Sequence, residues 1–370
     1  MPAPQRYQLS LLDKSPIPSG ASAEQALANT VQLAQRAEAL GYHRFWLAEH
    51  HSTPALAGSA PEVLVAHLLA HTRRIRIGSG GVMLQHYSPY KVAEVFKLLA
   101  ALAPGRVDLG IGKAPGGLPL STRALQQAFD PARRPDFAGL LAELDQWLSG
   151  EPPRGHALHG AQATPVPAHG PERVLLGGSP ESAELAADRG WDFCYAGHFN
   201  GDPATITASV DAFRARTGRA PLLALFAFAA PTAEAAAAAV GQLRGVRLLL
   251  RNRATGQWEG GQRLNLPSLE AAQEFARQAG VTDYRTEERT PHVVAGTAEQ
   301  VRAELDALSA RWGIREFVID IPVPDLAARR TAVELLAPLA TASATVATPS
   351  ASIASASAPA ASARAETLTT

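Results

Sequence analysis

The chain has 370 residues, of which 46% are hydrophobic, so it can bury a sizeable core as one large barrel or as two smaller domains. Lys and Arg together number 34, and so do Asp and Glu, so no overall charge would draw nucleic acid or an anionic membrane. The one cysteine, Cys194, excludes an intrachain disulfide and suits a reducing compartment.

Targeting and membrane signals are not visible in the sequence. Residues 1–7 lack the cationic and apolar segments of an export signal, and no uninterrupted apolar run reaches membrane-spanning length. We therefore expect a soluble, cytoplasmic protein with no nucleic-acid or membrane partner.

Eight apolar runs are typical of buried strands, and helical patterns separate them. The predicted strands are residues 7–12, 42–48, 75–79, 107–111, 173–177, 192–196, 222–229 and 316–321. The predicted helices are residues 22–40, 61–71, 89–103, 136–148, 182–189, 204–216, 233–243, a helix that begins at 296–300, and 325–337. Because helical crossovers between neighbouring strands require a parallel sheet, eight such units predict a (β/α)₈ barrel.

Three segments fall outside this alternation. Residues 150–171 are expected to form a surface excursion, and residues 251–288 an insertion before the last strand. Residues 341–370 contain mainly Ala, Ser and Thr, which bury too little apolar surface to offset the entropy of ordering. The sequence thus predicts a single barrel domain over residues 1–340 and a disordered tail over residues 341–370.

The second predicted strand ends in Glu49, His50 and His51. The carboxyl ends of the strands form the catalytic face of a parallel barrel, where a histidine beside a carboxylate can accept or donate a proton. A hydrogen-bonded structural pair and a metal site are the alternatives. No metal ligands are predicted, because adjacent histidines on an extended chain point apart and the His-X-His pattern of metal-dependent barrel hydrolases is absent.

Glycine-rich segments follow the third and fourth strands. Residues 79–83, Ser-Gly-Gly-Val-Met, allow the backbone to approach a flat ligand closely, although a simple bulge or turn has the same composition. Residues 110–117 offer backbone amides and the cation Lys113, as a phosphate or carboxylate requires, but they do not form a Walker motif.

The fifth strand leads through Gly177 and Gly178 into a helix start that carries Ser179 and Ser182. Free backbone N–H groups, two hydroxyls and the helix dipole indicate an anion site, while an ordinary helix cap is the alternative. The negative charge of Glu181 disfavours a bound anion, whereas the positive charge of Lys113 on the neighbouring strand favours one.

Taken in order, these segments resemble the bacterial luciferase-like, flavin-dependent monooxygenase family from about residue 7 to residue 339. The matching segments are residues 48–51, 78–84, 88–89, 104–110 and 176–182. The resemblance implies a (β/α)₈ barrel with an insertion before the last strand, usually dimeric, that uses reduced FMN or a deazaflavin.

Site roles follow from the resemblance residue by residue. His50 matches the catalytic histidine, with Glu49 supporting it, and Gly80-Gly81 matches a pair joined by a non-proline cis peptide bond beneath the flavin ring. The remaining cofactor-binding positions are Ser79, Met83 and Gly178, together with Lys113, Ser179 and Ser182 at the FMN phosphate. Two positions depart from bacterial luciferase: Lys113 replaces an arginine, and Gly112 replaces a reactive cysteine, so light emission is not implied.

The expected reaction is oxygenation of a small organic substrate. Reduced FMN, supplied by a separate NAD(P)H:flavin reductase because the chain lacks a Rossmann glycine fingerprint, would react with O₂ to give a hydroperoxide, with His50 as general acid/base. The loops and the 251–288 insertion would select the substrate. The alternatives are a deazaflavin-dependent dehydrogenase, a non-catalytic flavin-binding protein and, least favoured, a metal-dependent hydrolase.

Overall fold

The computed structural model describes residues 7–130, 132–150, 155, 158–252, 255–258 and 263–337. The predicted tail, residues 341–370, lies outside the described residues. The described strands are β1 (Gln8–Asp13), β2 (Arg44–Leu47), β3 (Arg76–Ser79), β4 (Val82–Met83), β5 (Val107–Gly112), β6 (Glu172–Gly177), β7 (Asp192–Ala196), β8 (Leu222–Ala229), β9 (Gly245–Leu250), β10 (Arg263–Leu266), β11 (Tyr284–Arg289), β12 (Val294–Gly296) and β13 (Glu316–Asp320).

Eight of these strands close into a parallel barrel in the order β1, β2, β3, β5, β6, β7, β8 and β13, with β13 pairing back to β1. They coincide with the eight predicted strands, with shifts of one or two residues at half of the ends. The predicted (β/α)₈ fold is therefore confirmed. The short strands β4 and β12 add to the rim by pairing with β5 and β8.

Helices connect the strands on the outside of the barrel. They are α1 (Ala23–Leu40), α2 (Pro61–His71), α3 (Pro89–Leu102), α4 (Pro119–Leu125), α5 (Phe137–Ser149), α6 (Pro180–Asp188), α7 (Pro203–Thr217), α8 (Ala233–Val240), α9 (Leu269–Ala279), α10 (Ala298–Trp312) and α11 (Leu326–Leu335). Side-chain caps fix many of the helix starts. Helix α6, for example, begins two residues before its predicted start, because Ser179 and not Ser182 is the N-cap. No described helix is long and apolar enough to cross a bilayer.

The predicted insertion lies before the last barrel strand, but it begins earlier than residue 251 and is folded. Strands β9, β10 and β11 form an antiparallel sheet, and helix α9 packs against it. The described residues of the predicted 150–171 excursion, 150, 155 and 158–171, contain turns and no strand or helix.

Alternation along the strands fills the barrel interior in layers. At the amino-terminal end, Arg44 lies 2.8 Å from Glu316 Oε1 and 3.1 Å from Asp108 Oδ2, and the Trp46 indole donates to that Asp108 oxygen. An apolar layer lies above, made of Leu12, Trp46, Ala48, Val174, Cys194, Ala224 and Val318. The floor of the barrel is therefore packed, and the carboxyl-terminal mouth is where a ligand can enter.

Candidate active site

The predicted site segments meet at one side of the barrel mouth. In the strand register Leu47 pairs with Ser79, Met83 with Gly112, and Gly112 with Leu176. The residues that follow β2, β3, β5 and β6 therefore lie next to one another, as the carboxyl ends of adjacent parallel strands must.

Glu49 is a fully buried hydrogen-bond acceptor. Its Oε1 accepts from His51 Nε2 at 2.7 Å and from the Tyr87 hydroxyl at 2.8 Å, and its Oε2 accepts the Met83 N–H at 3.0 Å. The expectation that Glu49 supports His50 is corrected here, because its carboxylate is bonded to His51. The two imidazoles have different neighbours, since His51 bonds to Glu49 whereas the charges of Lys14 and Asp320 act on His50.

His51 and His86 hold the loop that carries Lys113 through hydrogen bonds to its backbone. His51 donates its backbone N–H to Gly116 O at 2.7 Å, and the His86 ring donates from Nε2 to Pro115 O at 2.8 Å. Glu49 thus orients the β3 loop through Met83 and the β5 loop through His51. We infer that its contribution to the site is positional.

His50 follows β2 and lies near Lys14 and Asp320. Its backbone N–H donates to Gly58 O, while its Nδ1 has no hydrogen-bond partner among the described residues. Burial, and then the positive charge of Lys14, lower the pKa of His50 to about 4. The imidazole is therefore neutral near pH 7, and it is available to accept a proton or to donate a hydrogen bond to a ligand.

Three residues that the sequence analysis did not single out lie beside His50. Lys14 Nζ lies 2.5 Å from Asp320 Oδ2. Burial lowers the pKa of the third residue, His198, to about 4, and the charges of Asp320 and Lys14 also act on it. Each of the three lies at or just beyond the carboxyl end of a barrel strand. That position was the signal that could have identified them, although their residue types form no motif.

The Gly80–Gly81 peptide bond is cis, as the resemblance implies. A Cβ on Gly80 would lie 2.7 Å from Leu12 Cδ1, and one on Gly81 would lie 2.7 Å from Gly110 O. Ser79 is fully buried behind this pair, and its hydroxyl donates to Gly110 O at 2.8 Å. Its side chain thus fastens β3 to β5, and a direct cofactor contact for Ser79 or Met83 stays a prediction.

The helix start after β6 combines the two roles that the sequence left open. Ser179 Oγ accepts the Ser182 N–H at a long 3.4 Å, and the two hydroxyl oxygens are 3.3 Å apart. Gly178 lies beside them, and a Cβ on it would meet only Asn200, at 3.8 Å. Ser179 is therefore a helix cap whose hydroxyl, with that of Ser182, can also donate to an anion.

Lys113 is placed beside this helix start by the β5–β6 register. Its side chain is exposed, and its charge contributes to lowering the pKa of Glu181, after the larger effect of the Ser179 hydroxyl. Two hydroxyls, free helix N–H groups and one ammonium fit a phosphate. The residues present therefore fit the phosphate of a flavin mononucleotide. Among the described residues, no group of three or more His, Cys, Asp or Glu could hold a metal ion.

A family model described as luciferase-like monooxygenase matches residues 8–316. The chain belongs to the luciferase-like monooxygenase family. It is 42% identical over 342 residues to an N-acetyl-S-alkylcysteine monooxygenase of Bacillus subtilis, covering 91% of this chain and 99% of that protein. A luciferase-like monooxygenase of Escherichia coli is 43% identical over 196 residues, which are 52% of this chain and 56% of that protein.

Solved structures of the luciferase-like type share the fold. The apo form of MsnO8 has a TM-score of 0.69 and 30% identity, covering 90% of this chain and 97% of its own. The oxygenating component of a Pseudomonas putida 3,6-diketocamphane monooxygenase, solved with FMN, has a TM-score of 0.64 and 17% identity, covering 90% and 97%. An F420-dependent secondary alcohol dehydrogenase has a TM-score of 0.61 and 17% identity, covering 90% and 98%. The protein is an oxidoreductase of a fold that holds flavins.

Proposed function

We propose that the protein is a monooxygenase that uses reduced FMN and O₂ to oxygenate a small organic substrate, with reduced flavin supplied by a separate NAD(P)H:flavin reductase. The observation that carries this proposal is the meeting of His50, the Gly80–Gly81 pair and the Ser179–Ser182 helix start at one barrel mouth. When bound, reduced FMN supplies the electron pair that activates O₂, so that one oxygen atom enters the substrate and the other leaves as water.

The chain's own residues would bind, orient and exclude water. Ser179, Ser182 and Lys113 would hold the FMN phosphate, while the side-chain-free Gly80–Gly81 backbone would accept the flat ring system. The neutral imidazole of His50 would accept or return a proton near the reacting atoms. Because the barrel floor is packed, the reaction would take place in the mouth, where the bound cofactor and substrate would exclude water.

We propose the substrate class from the Bacillus subtilis relative, whose name states its substrate. Because 99% of the Bacillus subtilis N-acetyl-S-alkylcysteine monooxygenase aligns with this chain at 42% identity, an S-alkylated N-acyl amino acid is the substrate to test first. The assay would combine the protein, an NADH:flavin reductase, FMN, N-acetyl-S-methylcysteine and ¹⁸O₂. We expect one ¹⁸O atom in the product for each substrate consumed.

The deazaflavin alternative makes a different prediction in the same assay. A deazaflavin-dependent dehydrogenase would bind reduced F420, would leave reduced FMN unbound and would transfer a hydride without incorporating ¹⁸O. Anaerobic titration with each reduced cofactor separates the two functions. The monooxygenase proposal would fail if reduced FMN did not bind at about 100 μM, an affinity scale of several kcal/mol.

Replacing Lys113 with methionine is expected to weaken binding of reduced FMN about tenfold, because one charge-assisted contact to the phosphate is lost. Riboflavin has no phosphate, so its affinity should change less than about twofold. The Lys113→Arg variant keeps the charge and should bind FMN like the wild-type protein. Equal weakening of FMN and riboflavin would place Lys113 away from the phosphate.

We also propose a homodimer through helices α2 and α3. Val63, Leu98 and Leu102 are 62%, 49% and 69% exposed on these adjacent helices, and Leu98 and Leu102 share one helix face. The Leu102→Glu variant should therefore sediment as a monomer at micromolar concentration, whereas wild type sediments as a dimer. The matched control is Leu269→Glu on helix α9, where an exposed leucine lies outside this face. If Leu269→Glu sedimented as a monomer and Leu102→Glu as a dimer, the interface would lie at helix α9 and not at α2 and α3.

A further inference from the structure

Lys14, His50, His198 and Asp320 form a polar group within the barrel mouth, which we call the mouth cluster. Lys14 follows β1, His50 follows β2, His198 follows β7 and Asp320 ends β13. Lys14 and Asp320 form an ion pair, and the charges of both act on both imidazoles. Four separate strand ends therefore deliver polar groups to one region.

The Lys14–Asp320 pair of the mouth cluster lies across the barrel from the proposed phosphate site. In the closed order of strands, the β13–β1 seam that carries the ion pair is opposite the β5–β6 seam that carries Lys113 and Ser179. A group bound to Lys14 and Asp320 therefore faces a phosphate-anchored cofactor from the far side. This is the position that a substrate requires.

Unpartnered polar atoms indicate that the mouth cluster is built to receive a ligand. The Nδ1 atoms of His50 and His198 are both buried and have no hydrogen-bond partner among the described residues. Buried ring nitrogens of this kind are normally bonded, so an unpaired pair at a barrel mouth calls for a donor or acceptor from outside the chain.

Lys14 retains capacity for a second anion. Its ammonium has three donors and makes one ion pair among the described residues, with Asp320, and its side chain is 22% exposed while that of Asp320 is 3% exposed. The ring of Phe226, with its centroid 5.0 Å from Nζ, holds the ammonium from one side. A carboxylate can therefore reach Lys14 without displacing Asp320.

We propose that the mouth cluster is a substrate anchor for an acylated amino acid, in which Lys14 binds the carboxylate and Asp320 and His198 bind the adjacent amide. This inference rests on the proposed function and deepens it by assigning the residues that select the substrate. Lys14 offers a cation to a carboxylate, and Asp320 beside it offers an acceptor to an N–H group. A carboxylate next to an N–H donor matches that arrangement, whereas a neutral apolar substrate would leave the polar atoms unpaired.

The test compares N-acetyl-S-methylcysteine with its primary amide, which differs only at the carboxylate. Isothermal titration of the full chain, saturated with oxidised FMN, measures both affinities without any turnover. We expect the wild-type protein to bind the acid at least about tenfold more tightly than the amide. In the charge-neutral double variant Lys14→Met/Asp320→Asn this preference should vanish, and Lys14→Arg should retain it.

Each outcome decides the proposal. Equal affinities for acid and amide in the wild-type protein, or no binding of either, would overturn it without reference to any variant. Retention of the acid preference by a folded double variant would also overturn it. Acid-selective binding without ¹⁸O incorporation would leave the anchor intact and refute the monooxygenase, whereas oxygenation of other substrates with no acid preference would refute only the anchor.

Discussion

Replacing His50 with alanine is expected to lower coupled substrate oxygenation by a factor of about 10² to 10⁴, the usual contribution of a positioned acid or base. His50 belongs to the mouth cluster and follows β2, the strand next to β3 and its Gly80–Gly81 pair, and its Nδ1 has no hydrogen-bond partner among the described residues. The fold should persist, because no described side-chain bond of the barrel depends on this ring. Single-turnover product formation with reduced FMN and O₂ measures the effect, and circular dichroism checks the fold.

The same residue gives a pH signature with a defined sign. Burial lowers the pKa of His50 to about 4, so its neutral form prevails from pH 8 down to pH 5. The contribution of His50 to kcat/KM should therefore stay level through pH 6.5, the ordinary pKa of histidine, and decline only as the pH falls through about 4. An inflection near pH 6.5 that His50→Ala removes would contradict this.

The control for His50 is another histidine at the surface. His71 is exposed at the end of helix α2, outside the mouth, so His71→Ala should keep full activity and the same pH profile. Full turnover in His50→Ala would remove this residue from the mechanism. A loss in both variants would point to a general effect on folding instead.

Much of the fold could be predicted because its signals are local. Each barrel strand is a short apolar run flanked by a turn or a polar group, and the helix starts carry their own caps at Ser22, Ser179 and Thr297. The family was likewise predictable from an ordered set of motifs, and the family model confirms it. Such local patterns can be recognised in the sequence without knowledge of the three-dimensional structure.

Partners across strands could not be predicted in the same way. The residues of the Lys14–Asp320 pair lie near opposite ends of the chain, and only the closing of β13 onto β1 brings them together. Glu49 bonds to His51 and not to His50 because its carboxylate lies on the face of the extended chain that meets Tyr87 and the Met83 N–H. Such choices are set by strand register and side-chain direction, which composition does not record.

The sequence predicts the insertion but not its sheet, because β9 lies before the predicted boundary at residue 251 and β11 is largely polar. Strand β11 reads Tyr-Arg-Thr-Glu-Glu-Arg, and most of its side chains are exposed. An antiparallel strand with so little apolar alternation has no periodic signal to distinguish it from a loop. Only Val246 and Leu248 on β9 are buried, together with Ala272 from helix α9, in the small core beneath this sheet.

The Gly81→Ala variant is expected to lose about 3 kcal/mol of the free energy of unfolding, at the upper end of the usual overpacking range. A Cβ there would lie 2.7 Å from Gly110 O and 2.9 Å from Ile111 N, which are backbone atoms of β5 that cannot move without opening the β3–β5 seam. The Ser79–Gly110 hydrogen bonds cross the same seam, so the loop beside Glu49 should shift with it. Urea unfolding measures the stability, and titration with reduced FMN measures the site.

Gly112→Ala is the matched control, because it adds the same methyl group on the neighbouring strand. Its Cβ would lie 3.2 Å from Met83 Sδ, the far end of a flexible side chain that can move aside. We therefore expect Gly112→Ala to change the free energy of unfolding by less than about 1 kcal/mol. Equal losses in the two variants would show that added volume alone destabilises this region; a loss confined to Gly81→Ala would locate the constraint in the backbone contact of β3 with β5.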